Sequence, residues 1–189
     1  MKWFVAFTIV LLWCAGVQDG AAGIVQSSVE YAHGVYTARL EGRMAAAPAA
    51  VYRQVTDHNH LYLLNDDILE SVLLTPPGAQ VKKRRVILHI CILFFCRDMK
   101  FVESLQENGK DKLIATVVPQ ESDFRSGQTV WQVTPAGVAQ SRLYVHSTFT
   151  PAFRVPPLIG PWLIKKKMEQ EISVMITRLE YHAGKTHRQ

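Results

Sequence analysis

Three groups of side chains in this sequence have the types that do chemistry. Asp57-His58-Asn59-His60, with Asp66-Asp67 close behind, offers imidazoles and carboxylates as a metal site would. His58 and His60 are only two apart at what reads as a helix junction, however, and that spacing does not put two imidazoles on one face of a helix. The segment therefore reads as a cap, with Asp57 opening a short helix, beside polar surface residues. Cys91 and Cys96 form the second group. On one regular strand, residues five apart point to opposite faces, so a disulfide between them needs a bulge or bend. The alternative is a pair of small buried hydrophobes in the run His89 to Cys96, and the sequence leaves both open. No second cysteine pair exists and His89 lies too close along the strand to complete a zinc site, so no metal is expected. No thiolate-stabilising pattern surrounds either cysteine, so neither is expected to be catalytic. The third group is His89, Glu103 and His146, isolated acid/base candidates in β-rich segments. With no Gly-x-Ser-x-Gly turn, zinc-protease helix or phosphate loop in the chain, no catalytic residue is assigned and no cofactor is expected.

Two basic runs stand out, Lys82-Lys83-Arg84-Arg85 and Lys165-Lys166-Lys167. The first falls in a predicted strand, so its charges divide between two faces and at least one must reach an edge or snorkel to solvent. The second follows Pro157 to Leu163, and Trp162 beside Lys165, Lys166 and Lys167 has the composition of a transient contact with an anionic membrane surface. A plain solvated helix face has the same composition. The net charge of +5 and pI of about 9.2 favour anionic partners. No Lys/Arg-rich tail or nucleic-acid motif converts that bias into DNA or RNA binding.

The N-terminus is read separately. Met1-Lys2 followed by the uncharged run Trp3 to Ala15 has the layout of a secretory signal peptide, and the run is short of the roughly 20 apolar residues of a membrane span. Gly20-Ala21-Ala22 places small residues where a signal peptidase needs them, so residues 1–22 are expected to be cleaved after Ala22 and the body to be periplasmic or secreted, the alternative being an uncleaved N-terminal anchor. Cys14 is not read as a lipidation site, because Trp13 precedes it where a small residue is required. Residues 23–189 then form one domain: 189 residues in all, 48% hydrophobic and 20% charged, exclude disorder, collagen and coiled coil.

The elements follow from periodicity. Val29 to Gly42 reads as a strand, and Pro48 opens a helix with Val51, Tyr52 and Val55 as its apolar stripe. A second short helix spans Leu61 to Leu64. From Ile68 to Phe149 the pattern is strand and turn, including one long run from Val81 to Cys96 and a turn at Pro135-Ala136-Gly137. The expected sheet is an antiparallel meander. Trp162 to His182 is an amphipathic helix with Ile164, Met168, Ile172, Met175, Ile176 and Leu179 on one stripe, long enough to cross several strands. Alternation puts Thr129, Trp131 and Val133, and Leu143, Val145, Ser147 and Phe149, on the sheet face toward that helix, with Tyr144 and His146 on the other.

This order of elements resembles the START-like superfamily, which includes polyketide cyclase/dehydrase, lipid-transport and coenzyme-Q-binding proteins. Ala47-Pro48-Ala49-Ala50-Val51-Tyr52 with Thr56-Asp57 is similar to its first-helix signature. Cys91 to Arg97, Pro119 to Gly127 and Val155 to Trp162 resemble an exported bacterial branch. The resemblance covers residues 30–183 and implies an α+β helix-grip fold: an antiparallel sheet wrapped around a long C-terminal helix, with two short helices after the first strand. It also implies a hydrophobic, lipid-like or polyketide-like molecule held between helix and sheet. On that expectation Trp131, Val133, Val145, Phe149, Met168, Ile172 and Met175 line the ligand site, methionine being suited to a variable apolar guest. A carrier is the expected function, and a cyclase or dehydratase using His89, Glu103 or His146 in the same cavity is the alternative.

Overall fold

The computed structural model describes residues 23–76, 79, 81–92, 95–153 and 160–185. The expected leader, residues 1–22, and the segment 154–159 lie outside them. Eight strands, β1 (Gly23–Ala32), β2 (Val35–Met44), β3 (Ile68–Leu73), β4 (Lys82–Ile92), β5 (Phe95–Asn108), β6 (Lys112–Val117), β7 (Phe124–Gly137) and β8 (Gln140–Pro151), form a single sheet. Every neighbouring pair is antiparallel, in the order β1-β2-β8-β7-β6-β5-β4-β3. Helix α1 (Pro48–Val55) follows β2, a short 3-10 turn covers Leu61–Leu63, and the long helix α2 (Gly160–Lys185) closes the chain.

Two segments that read as single strands are hairpins. The stretch from Val29 to Gly42 turns at His33-Gly34, both at positive φ (52° and 86°), which gives a two-residue connection its required hand. Two strands, not one, therefore precede the short helices. The run Val81 to Cys96 is divided between β4 and β5, with Cys91 directly opposite Cys96. The expected turn at Pro135 is displaced: Pro135 sits within β7, beside a bulge, and the chain reverses at Val138-Ala139. Asp57 does not cap a helix but pairs with His60 at 2.7 Å.

Tight contact with its neighbours explains one glycine on the sheet. A Cβ at Gly127 would stand 2.7 Å from Val117 Cγ2, so only glycine lets β7 and the side chains of β6 approach this closely.

The core lies on one face of the sheet. Leu40, Met44, Leu113, Ala115, Val133 and Leu143 pack beneath Val51 and Val55 of α1 and Ile176, Leu179 and Ala183 of α2. The Ile176 side chain reaches to 3.1 Å from where a Cβ on Gly42 would be, which fixes the α2-facing side of β2. At the same end, Glu180 accepts a hydrogen bond from the Ala45 backbone N–H at 2.8 Å.

Candidate functional site

The face toward α2 is not sealed evenly. The closest backbone approaches of α2 are to β1, β2 and α1, with fewer to β4. The C-terminal half of α2 is closed down, with Leu179 and Ala183 both at 0% exposure. Farther toward its N-terminus Met168, Ile172 and Met175 are only half-buried. The sheet mirrors this gradient: Leu143, Leu113 and Val133 are at 0%, 0% and 1% exposure, whereas Trp131, Val145, Ser147 and Phe149 remain half-buried. Trp131 stands between Leu113 and Val145 in the ladder, in the middle of the sheet. Strands flank it on both sides, yet it is only half-buried.

Aromatic rings close one end of this region. Phe124 stacks on Phe101 at 3.9 Å between centroids and meets Phe149 edge-on at 5.6 Å, and Tyr36 stacks on Phe149 at 5.3 Å. The Tyr36 hydroxyl is fully buried, which together with the neighbouring Tyr31 pushes its pKa up to about 12.

The same face carries polar groups that apolar packing alone does not call for. Thr129 and Ser147 share a hydrogen bond of 2.8 Å beside Trp131. The Trp131 indole Nε1 is a buried donor with no hydrogen-bond partner among the described residues. Nearer β3, Arg84 donates to Glu103 at 2.8 Å, both residues being buried. From there a chain of contacts runs outward: Arg84 Nη1 lies 3.4 Å from His58 Nδ1, His58 Nε2 lies 3.4 Å from Glu107, and Lys82 donates to Glu107 at 2.8 Å. Arginine only donates and carboxylate only accepts, so a neutral His58 with its proton on Nε2 satisfies both neighbours. Burial and the adjacent Arg84 charge agree with this, holding the His58 pKa below its ordinary value against the pull of Glu107. The bond from Lys82, reinforced by His58, keeps the Glu107 carboxyl below its own usual range.

The sequence-derived site residues divide into three sets. Trp131, Val145 and Phe149 of the sheet and Met168, Ile172 and Met175 of the helix all belong to the half-buried region, while Val133 is sealed in the core. Two of the acid/base candidates do not reach that region. The register places His89 and His146 on the face turned away from α2, because they fall one residue out of step with inward-facing Leu88 and Val145. His146 borders a groove of about 490 Å³ on that outer face, lined by Arg39, Glu41, Val130, Gln132 and Tyr144 among others. Glu103 does face inward, locked to Arg84. His58, expected at the surface, is an interior residue, held from the loop after α1 by Arg84 of β4, Glu107 of β5 and Ser71 of β3, and nothing in its local spacing points inward.

On α2, Trp162 is 61% exposed, with Lys166 Nζ 5.6 Å from its ring. Lys165 pairs loosely with Glu169 at 3.9 Å. Lys167 is engaged twice, by Asp67 at 2.8 Å and Glu171 at 2.6 Å; burial disfavours its charge, but these two bonds outweigh burial and raise its pKa. Cys91 and Cys96 are joined in a disulfide across the β4–β5 hairpin, with no bulge needed because they occupy opposed positions on two strands.

No protein-family model matches the sequence, and no curated protein does. Solved structures do match. A START superfamily protein from Mycobacterium smegmatis is similar at 16% identity with a TM-score of 0.62, over 77% of this chain and 97% of that one. An aromatase/cyclase from a Streptomyces species aligns at 9% identity and a TM-score of 0.64, over 79% and 94%. A STAR-related lipid transfer protein from Xanthomonas axonopodis aligns at 16% identity and a TM-score of 0.58, over 86% and 99%. At these identities the likeness is one of fold: the chain has the α+β helix-grip architecture of START-like proteins.

Proposed function

We propose that this protein binds a hydrophobic, lipid-like or polyketide-like small molecule between the N-terminal half of α2 and the middle strands of the sheet. The observation that carries this reading is a difference in burial: Trp131, Val145 and Phe149 of the sheet and Met168, Ile172 and Met175 of α2 stay partly open, while Ile176, Leu179 and Ala183 in the other half of α2 are sealed. Thr129, Ser147 and the unpartnered Trp131 N–H supply the few polar handles that orient a mostly apolar guest. Structural neighbours described as lipid transfer proteins, and one described as an aromatase/cyclase, are consistent with such a ligand.

Binding is favoured over cyclase chemistry because His89 and His146 face away from α2 and Glu103 is held in a buried ion pair with Arg84. The run Trp3 to Ala15 supports an exported protein, residues 1–22 serving as its leader. Exposed Trp162 beside Lys166 supports a passing contact with anionic membrane during loading. The test is to purify the protein from its native compartment and identify co-purifying molecules by native mass spectrometry and solvent extraction. An apolar compound released unchanged supports the binder, while turnover that stops on replacing Glu103 or His58 supports the enzyme. A folded protein that carries nothing and takes up no apolar probe overturns both.

A further inference from the structure

The tip of the β4–β5 hairpin carries a second, unrelated arrangement on the face turned away from α2. Cys91 opposes Cys96, and in the next row His89 opposes Asp98, so four side chains form a two-by-two array on the exposed surface. His89 Nδ1–H donates to Asp98 at 2.6 Å, which leaves Nε2 as the free ring nitrogen. That nitrogen is turned to the sulfurs, 3.3 Å from Cys91 Sγ. The ligand atoms of His89, Cys91 and Cys96 all lie within 4.8 Å of one another. A spacing of two along a strand keeps His89 and Cys91 on one face, so the closeness that argued against a metal in the sequence is what assembles these donors.

We propose that this hairpin is a redox-gated site for a thiophilic closed-shell cation such as Zn²⁺. In the disulfide form the sulfurs are spent on each other and the site is shut. A dithiol reductant opens it: two electrons and two protons pass to the bridge, giving the Cys91 and Cys96 thiols, and the dithiol becomes a disulfide. One cation then binds both sulfurs as thiolates and His89 Nε2, releasing two thiol protons to solvent, with the fourth position left to water. Metal–sulfur bonds of about 2.3 Å and metal–nitrogen bonds of about 2.0 Å require ligand atoms roughly 3.5 Å apart, a spacing the freed sulfurs reach by a small rotation. Asp98 is the positioning residue that fixes the imidazole, as carboxylates do behind metal-bound histidines.

The test uses the full chain and Zn²⁺ alone. The bridge is reduced with a water-soluble phosphine, which takes oxygen from water as the sulfurs take its hydrogens; excess reagent is removed under nitrogen and bound zinc is measured after gel filtration. The reduced protein is expected to retain one equivalent and the oxidised protein none. Cys91→Ser should abolish retention, His89→Ala should weaken it at least about 10-fold, and Asp98→Asn about 10- to 100-fold. Cobalt substitution should give thiolate-to-metal charge transfer only in the reduced form, and circular dichroism verifies that each variant is folded. Equal uptake by oxidised and reduced protein, uptake no greater than that of the Cys91→Ser, Cys96→Ser double variant, or full affinity in His89→Ala would overturn the proposal.

Discussion

Arg84 and Glu103 show what a single buried pair costs and gives. Both are buried, so removing one partner strands the other's charge out of water. Glu103→Leu should destabilise the fold by about 3–5 kcal/mol, and the Arg84→Met, Glu103→Leu double variant should recover most of that loss in urea unfolding. His58 provides a pH signature. Its pKa is lowered from 6.5 by burial and Arg84, so as pH falls below 6.5 the unfolded chain takes up a proton that the folded chain refuses. Stability is thus fully present above that value and declines as pH drops toward the lower folded one. The unfolding midpoint should fall between pH 7 and 5, and less steeply in His58→Gln. Residue identities alone showed that the run Lys82 to Arg85 must split between faces. They did not show that Arg84 finds Glu103, since that pairing is created by the β4–β5 register, nor that His58 completes the network from a loop.

Among the elements, α2 has two halves with different duties. Leu179 is at 0% exposure within the core, so Leu179→Ala should cost about 2–5 kcal/mol of stability. Ile172→Ala and Met168→Ala remove half-buried side chains and should cost less than half as much, while weakening uptake of an apolar probe more than Leu179→Ala does at equal folded fraction. Equilibrium unfolding and probe titration on the same preparations separate the two effects. Truncation before Pro161 removes Ile176, Leu179 and Ala183 from the core together and should unfold the domain, seen as loss of its cooperative transition. The helix was legible from its three-and-four spacing, and the inward sets on β7 and β8 from alternation. The hairpins at His33-Gly34 and beyond Ile92 were not: the first uses a histidine in a left-handed conformation instead of the more common Asn-Gly, and the second lies within an unbroken β-rich run. That unbroken pattern also hid the cross-strand placement of Cys91 and Cys96.

For the molecule as a whole, order of elements was the most informative signal. A meander followed by one long amphipathic helix leaves few ways to bury both apolar faces, and the helix-grip arrangement is the one observed. What occupies the space under the helix is far less legible, because a half-buried Trp or Met is written in the same letters as a sealed one. The most direct test labels the methionine methyl groups and follows them by NMR as a fluorescent fatty acid is added to the full chain. Binding between α2 and the sheet predicts saturable shifts at Met168 and Met175, none at Met44, which is sealed at 1% exposure, and loss of the shifts in Trp131→Ala. Unchanged Met168 and Met175 signals while the probe binds elsewhere, or no binding at all, would contradict it.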